Sequence, residues 1–135
     1  MRIYFPMTCN ILTPGHIKCL EWLQDYKQQK NHIVIGLLTA KALYGYKKEL
    51  MPFKDRKYIL DNIWMPKWKK DSIEIVSQDS LNPTRWVKNN RCEAIASGDG
   101  WEQQELDAIE KLGIIKIDIG LPKNYSSSSV CQTKS

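Results

Sequence analysis

The chain has 135 residues, of which 42% are hydrophobic, and its formal net charge is +5. This length predicts a single domain over residues 1–135, because a chain of this size buries one hydrophobic core but not two. No segment has the roughly 18 consecutive apolar residues that span a bilayer, and residues 1–6 lack the apolar core of a signal peptide. We therefore expect a cytoplasmic protein, without a membrane span, whose partners are anionic.

The cysteines and the basic residues are both dispersed along the chain. The basic run Lys67-Trp68-Lys69-Lys70 combines an aromatic ring with positive charge, but the remaining basic residues form no comparable cluster, so we expect no specific nucleic-acid partner. The thiols form no C-x-x-C pair, which predicts reduced cysteines and neither a zinc site nor a disulfide framework. They are Cys9, Cys19, Cys92 and Cys131.

The N-terminal segment combines a predicted strand, a Gly-containing turn and a predicted helix. The strand covers residues 2–7, the amphipathic helix covers 17–26, and Thr13-Pro14-Gly15-His16 lies between them. Glycine at such a turn allows the backbone to approach a ligand, and the first free N–H groups of the helix face the same point. His16 adds a side-chain donor. The segment predicts an anion site, although a plain Pro-Gly turn with a capping histidine fits the same residues.

The rest of the chain alternates β-rich runs with helical patterns. This alternation is typical of βαβ units around a parallel sheet. The run 32–38 is apolar almost throughout, as in a parallel strand that is covered on both faces. Prolines near the starts of two helices and Gly113 after the last one mark helix boundaries. The predicted strands are 2–7, 32–38, 73–76, 93–97 and 114–119, and the helices after the first are 52–63, one capped by Asn82 and beginning at Pro83, and 101–112.

The order of motifs resembles the cytidylyltransferase-like branch of the nucleotidyltransferase superfamily over nearly the whole chain. Residues 7–16 lie on the family's G-x-F-D-x-x-[HT]-x-G-H signature, with a T-x-G-H variant of H-x-G-H. Residues 54–60 are similar to its E-R-K-x-x-L helix. Residues 97–102, SGDGWE, resemble the G-D-D-W-E segment of glycerol-3-phosphate cytidylyltransferase, to which the match is closest. Residues 125–130, YSSSSV, resemble the I-S-[ST]-T-x-I motif of the superfamily.

This resemblance implies both a fold and a reaction. The fold is a doubly wound, Rossmann-like α/β domain whose five-stranded parallel sheet binds a nucleotide across the strand carboxyl ends, where the strand order reverses. The reaction is transfer of CMP from CTP to a small phosphorylated acceptor such as glycerol 3-phosphate, with release of pyrophosphate. The resemblance also implies Mg²⁺ bound mainly through the triphosphate, no direct protein ligands to the metal, and a homodimer.

The resemblance assigns catalytic roles to three residues. His16 contacts the α- and β-phosphates, Thr13 donates one hydrogen bond nearby, and Lys47 clamps phosphates from a loop, with Lys48 as the alternative lysine. Arg56 is predicted to bind a phosphate or a carboxylate of the substrates through its planar fork, and Lys123 is predicted to bind the pyrophosphate or the acceptor phosphate. The predicted nucleotide-binding residues are Thr8, Cys9, Gly15, Asp99, Trp101, Ser126, Ser127 and Ser128.

Residue types alone leave other roles open for some of these side chains. Arg56 also fits a salt bridge on a helix surface. Asp99 also fits a helix cap, Trp101 a packed core position, and Lys123 a solvated loop.

Departures from the family pattern leave two further functions open. Thr13 replaces the first histidine of H-x-G-H, as in adenylyltransferases such as the pantetheine-phosphate enzyme, so ATP is the alternative nucleotide. Met7, Asn10 and Gly100 also replace residues of the family motifs. A nucleotide-binding module without turnover is therefore the third hypothesis.

Overall fold

The protein is built around an all-parallel β-sheet. The computed structural model describes residues 1–8, 14–45, 48–64, 72–98, 101 and 103–119, with the backbone alone at 63 and 64. Its strands are β1 (Arg2–Met7), β2 (His32–Leu38), β3 (Ile73–Gln78), β4 (Ala94–Ser97) and β5 (Ile115–Asp118). They pair in the order β3-β2-β1-β4-β5, and each neighbouring pair is parallel. This is the doubly wound architecture predicted from the sequence.

Helices connect the strands. Within the described ranges they are α1 (Pro14–Gln24), α2 (Ala40–Leu43), α3 (Phe53–Ile59), α4 (Thr84–Asn89) and α5 (Gln103–Leu112). A 3₁₀ turn follows α1 at Tyr26–Gln28, and α3 continues into a π-helical turn at Leu60–Trp64. No helix of the described part is long and apolar enough to cross a membrane.

Most predicted boundaries agree with the structure to within two residues. β1 and β2 are confirmed to the residue, and β3 extends two residues further than predicted. The prediction that the first helix begins at residue 17 is wrong, because α1 begins at Pro14. Proline fits the first helical turn, where its missing N–H removes no helix hydrogen bond. The short α2 was not predicted.

Both faces of the sheet are buried. On one face, Ile3 and Ile35 pack against Leu20 and Leu23 of α1 and against Leu60. The opposite face packs against α4 and α5 through Tyr4, Val34, Ile95, Val87 and Ile109. This two-sided burial explains the nearly continuous apolar run of β2.

The strand order reverses between β1 and β4. The chain runs outward from β1 to β2 and β3, then returns to form β4 and β5 on the other side of β1. Such a reversal opens a crevice at the carboxyl ends of the two central strands, where open α/β sheets bind ligands. Gly98, just after β4, lies close to α1, since a Cβ there would be 3.2 Å from Cys19 Sγ.

A buried polar network crosses the sheet from β1 to β3. The Tyr4 hydroxyl donates to Gln78 Oε1 at 2.7 Å, and Gln78 Nε2 donates to the Ser80 carbonyl at 2.8 Å. The Tyr4 ring passes over Gly36 of β2. Burial raises the pKa of Tyr4, so its hydroxyl stays protonated at neutral pH and remains a donor. Because the Tyr4 hydroxyl and the Gln78 side-chain amide both have hydrogen-bond partners, this buried network stabilises the fold.

The two cysteines in the described ranges carry thiols and form no disulfide. Cys19 and Cys92 are both buried. Burial raises the pKa of the Cys92 thiol to about 11, so this side chain stays protonated and unreactive at neutral pH. Cys9 and Cys131 lie outside the described residues.

An ionic cluster lies at the amino end of the sheet, opposite the crevice. Arg2 Nη2 lies 2.8 Å from Glu74 Oε1, and His32 Nε2 lies 3.3 Å from the same oxygen. Partial burial acts to raise the pKa of Glu74, but hydrogen bonds from Arg2 and His32 and their charges outweigh it and hold the pKa below its ordinary value of 4.5. The folded protein therefore favours the ionised form of Glu74.

Replacing this carboxylate is expected to change the pH dependence of stability. A lowered pKa in the folded state stabilises the protein above pH 4.5, and this stabilisation is lost as the pH falls through the folded-state pKa. Glu74→Gln should therefore unfold at lower urea than the wild type at pH 7, by less than about 1 kcal/mol because the pair is partly exposed. The difference should shrink at pH 3, and a difference that stays constant with pH would refute the assignment.

Candidate active site

The first turn of α1 lies beside the carboxyl end of β1. Thr8 follows β1 directly, and α1 begins at Pro14, with Gly15 buried and His16 partly exposed. The first N–H groups of a helix have no acceptor within the helix, and the helix dipole adds positive potential at this end. The first turn of α1 contains no acidic residue. These groups together suit an anion such as a phosphate.

The carboxyl end of β4 forms the other side of the crevice. Ser97 ends β4 and Gly98 follows it, close to α1. Trp101 is partly buried and packs against the cluster that contains Val87 and Ile109. This contact agrees with the core-packing alternative for Trp101, and its role beside a nucleobase stays a prediction.

Arg56 lies at the carboxyl ends of β1 and β2, inside the protein. Its side chain is fully buried, so the prediction that it lies on a helix surface is wrong. A salt bridge does form, but in the interior, with Glu49 Oε2 at 2.6 Å. The N–H groups of Arg56 face protein acceptors, so direct phosphate binding by this residue stays a prediction that the geometry does not favour.

The carboxyl ends of β2 and β3 are joined by Thr39. Its backbone N–H donates to the Gln78 carbonyl at 3.0 Å, and its hydroxyl donates to Asp79 Oδ1 at 3.0 Å. The same hydroxyl accepts from the Ala42 N–H and caps α2. These contacts of Thr39 fix the backbone at the carboxyl end of β2.

Several predicted site residues lie outside the described part of the chain, so their positions relative to His16 stay predictions. Lys48, the alternative to Lys47, is described and exposed. The residues outside are Cys9, Thr13, Lys47, Asp99, Lys123, Ser126, Ser127 and Ser128.

Comparison with known proteins decides the family. The family model described as cytidylyltransferase-like matches residues 4–130, nearly the whole chain. The chain belongs to the cytidylyltransferase-like family. It is therefore a nucleotidyltransferase enzyme, as the motif order predicted. No curated protein was found to match the chain.

Solved structures share the cytidylyltransferase-like fold. A lipopolysaccharide core biosynthesis protein from Thermoplasma volcanium GSS1 is 19% identical, with a TM-score of 0.69, covering 91% of this chain and 98% of that one. A protein of unknown function from Archaeoglobus fulgidus is 20% identical, with a TM-score of 0.66, covering 88% and 89%. At these identities the likeness shows the fold alone.

The next feature is the predicted magnesium ion and the side chains that could bind it. Within the described ranges, no group of three or more His, Cys, Asp or Glu side chains is placed to hold a metal ion. Magnesium prefers oxygen ligands and is often held through substrate phosphates with few protein ligands. Magnesium carried by the triphosphate is compatible with the described residues, and it stays a prediction.

Two groups that shape the site were not predicted from the sequence. Glu49 lies before the start of α3, so no helical periodicity joins it to Arg56, yet the two side chains pair. Gln78 ends a strand that was predicted to stop at residue 76. A longer β3 would have placed Gln78 beside the exit of β2, where it contacts Thr39.

Proposed function

We propose that this enzyme transfers CMP from CTP to a small phosphorylated acceptor, similar to glycerol 3-phosphate, and releases pyrophosphate. The observation that carries the proposal is the position of the first turn of α1. This turn, with Gly15 and His16 and without an acidic residue, lies at the carboxyl end of β1, where the strand order reverses. An anionic ligand with several phosphates fits such a position.

The reaction requires alignment and positive charge more than proton transfer. A phosphate oxygen of the acceptor attacks the α-phosphorus of CTP, a new P–O bond forms, and the bond to the bridging oxygen breaks. Pyrophosphate leaves with that electron pair. The attacking oxygen is already ionised at neutral pH, so no general base is needed. Rate enhancement therefore depends on positioned donors and on charge neutralisation in the transition state.

The side chains of this protein supply part of that charge. His16 and the free N–H groups of α1 are the candidates for binding the α- and β-phosphates. Lys47 or Lys48 is the candidate cation on the other side of the phosphates, and Thr13 offers a neutral donor. A magnesium ion carried by the triphosphate would offset part of its negative charge.

The choice of nucleotide rests on two motifs that point in different directions. The segment 97–102 favours CTP through its likeness to glycerol-3-phosphate cytidylyltransferase, and this is the version we propose. Thr13 in place of histidine favours ATP, which makes an adenylyltransferase the second candidate. The altered Met7, Asn10 and Gly100 support a third candidate, a nucleotide-binding module without turnover.

Pyrophosphate release tests these candidates directly. The assay supplies CTP or ATP with magnesium and a panel of acceptors: glycerol 3-phosphate, sugar phosphates and 4′-phosphopantetheine. Sugar phosphates are included because a structural neighbour is named for lipopolysaccharide core biosynthesis. Release with CTP supports the proposal and identifies the acceptor. Release with ATP alone supports the adenylyltransferase, and tight nucleotide binding without release supports the inactive module. Loss of release on adding EDTA tests the proposed magnesium requirement.

A further inference from the structure

Arg56 is unusual among the charged side chains of the described part, because it is the one that is buried, with no solvent exposure. Burying a charge is costly unless hydrogen bonds and an opposite charge compensate for the lost water. The contacts of Arg56 supply both. They also join segments that are distant in sequence.

The guanidinium of Arg56 binds three backbone carbonyls and one carboxylate. Nη1 donates to the carbonyls of Thr8 at 2.8 Å and Leu38 at 2.6 Å. Nε donates to the Met51 carbonyl at 2.9 Å, and Nη2 donates to Glu49 Oε2 at 2.6 Å. Four of the five N–H donors of an arginine are thereby used within the protein.

These partners lie around the proposed phosphate site. Thr8 leaves β1 towards α1, Leu38 is the last residue of β2, and Glu49 and Met51 belong to the segment that begins at the exposed Lys48. The Arg56 side chain thus links the carboxyl ends of β1 and β2 to the segment 48–51. Glu49 is itself about one quarter exposed, at 26%, so it lies between Arg56 and the solvent.

We propose that Arg56 and Glu49 form a buried clamp that holds the segment 48–51 against the carboxyl ends of β1 and β2, and that Arg56 is a positioning residue rather than a phosphate ligand. The catalytic consequence rests on the proposed function, because it concerns how Lys48 and the exit of β1 are placed for nucleotidyl transfer. A phosphate ligand needs donors that face the ligand, whereas the guanidinium of Arg56 faces carbonyls and Glu49.

Two substitutions separate positioning from phosphate binding. Glu49→Gln removes the negative charge of Glu49 but keeps a side-chain oxygen that can accept a hydrogen bond from Arg56. Arg56→Lys keeps a positive charge, but its three donors sit on one nitrogen and cannot replace the planar fork whose three nitrogens reach four acceptors. Asp61→Asn is the matched control, because Lys57 and Asp61 form a second ion pair on the same helical segment, 2.7 Å apart but partly exposed. Exposed pairs of this kind contribute little.

Hydrogen exchange and steady-state kinetics distinguish these variants. In Glu49→Gln, amides of residues 48–51 should exchange about tenfold faster, since the hydrogen bond from Arg56 then goes to a neutral acceptor and is weaker. The kcat for pyrophosphate release should fall about tenfold, while the Kd for CTP changes by less than about twofold. Arg56→Lys should show the same pattern more strongly, the double variant should be no slower than Arg56→Lys, and Asp61→Asn should match the wild type.

Other results would overturn the clamp. If Arg56 binds phosphate, Arg56→Lys should weaken CTP binding about tenfold or more, while Glu49→Gln leaves exchange and kcat unchanged. Unchanged exchange at residues 48–51 in Glu49→Gln refutes the clamp even if Arg56→Lys fails to fold. The exchange measurement needs no turnover. A wild-type protein without pyrophosphate release would contradict the proposed function, and the exchange data would still decide on the clamp.

Discussion

Replacing His16 with alanine is expected to lower kcat for pyrophosphate release by about 100- to 1,000-fold, the usual loss when a donor to a charged transition state is removed. His16 lies in the first turn of α1, next to N–H groups that suit the same phosphates. Its side chain is partly exposed, so alanine should leave no cavity in the core. The thermal midpoint of the variant should stay close to that of the wild type.

The other histidine of the chain provides the control for His16. The sequence contains two histidines. His32 begins β2, and its Nε2 lies 3.3 Å from Glu74 Oε1, at the amino end of the sheet and therefore at the end opposite the crevice. His32→Gln should change kcat by less than about twofold, because it lies outside the proposed site. Wild-type turnover in His16→Ala would exclude His16 from the chemistry. Equal losses in both variants would indicate damage to the fold instead.

Local patterns were enough to predict the strands and most of the helices, whereas the doubly wound strand order followed from the family resemblance. β2 was identified because a strand covered on both faces needs apolar residues at nearly every position, and residues 32–38 have them. The end of α5 was identified from Gly113, which adopts a φ of 67°, a conformation that glycine tolerates. Asn82 was predicted as the cap before a helix that begins at Pro83, but Pro83 itself is the capping residue of α4, and the Asn82 side chain accepts from the N–H of Thr84, the first helical residue. Each signal depends only on neighbouring residues.

The environment of Arg56 could not be predicted in this way. Its partners Thr8 and Leu38 lie 48 and 18 residues away along the chain, and only the folded sheet brings them together. Sequence alone offered a phosphate ligand or an exposed salt bridge, because arginine is common in both. The error in the start of α1 has a similar origin. Pro14 suggested a turn before the helix, yet proline also suits the first helical turn.

Motif order and strand ends predict the location of the candidate site, and its role in binding a ligand stays a prediction. The Gly15-His16 pair and the exits of β1 and β4 lie where a doubly wound sheet binds ligands. The acceptor specificity was not predictable, because it depends on which side chains from distant segments meet in the crevice. That information is carried by tertiary contacts rather than by spacing.

Replacing Gly36 with alanine should give the largest loss of stability among the single substitutions considered. A Cβ at this position would overlap the Tyr4 hydroxyl and ring and would lie 2.6 Å from Gln78 Oε1. The ring would have to move and the buried hydrogen bond between Tyr4 and Gln78 would break. Overpacking and loss of this bond together should cost about 3 kcal/mol. We expect the thermal midpoint to fall by roughly 10 °C.

A double-mutant cycle with Tyr4→Phe tests the cause of that loss. Tyr4→Phe removes the same hydrogen bond without adding a methyl group, and it should cost about 1 kcal/mol. Since each substitution breaks this bond, the double variant should lose less than the sum of the two single losses. Gly98→Ala is the control, because among the described residues its new methyl group would meet the Cys19 sulfur alone, at 3.2 Å, which a small shift relieves. Additive losses, or a wild-type midpoint in Gly36→Ala, would mean that the Tyr4 ring does not cross β2 at Gly36.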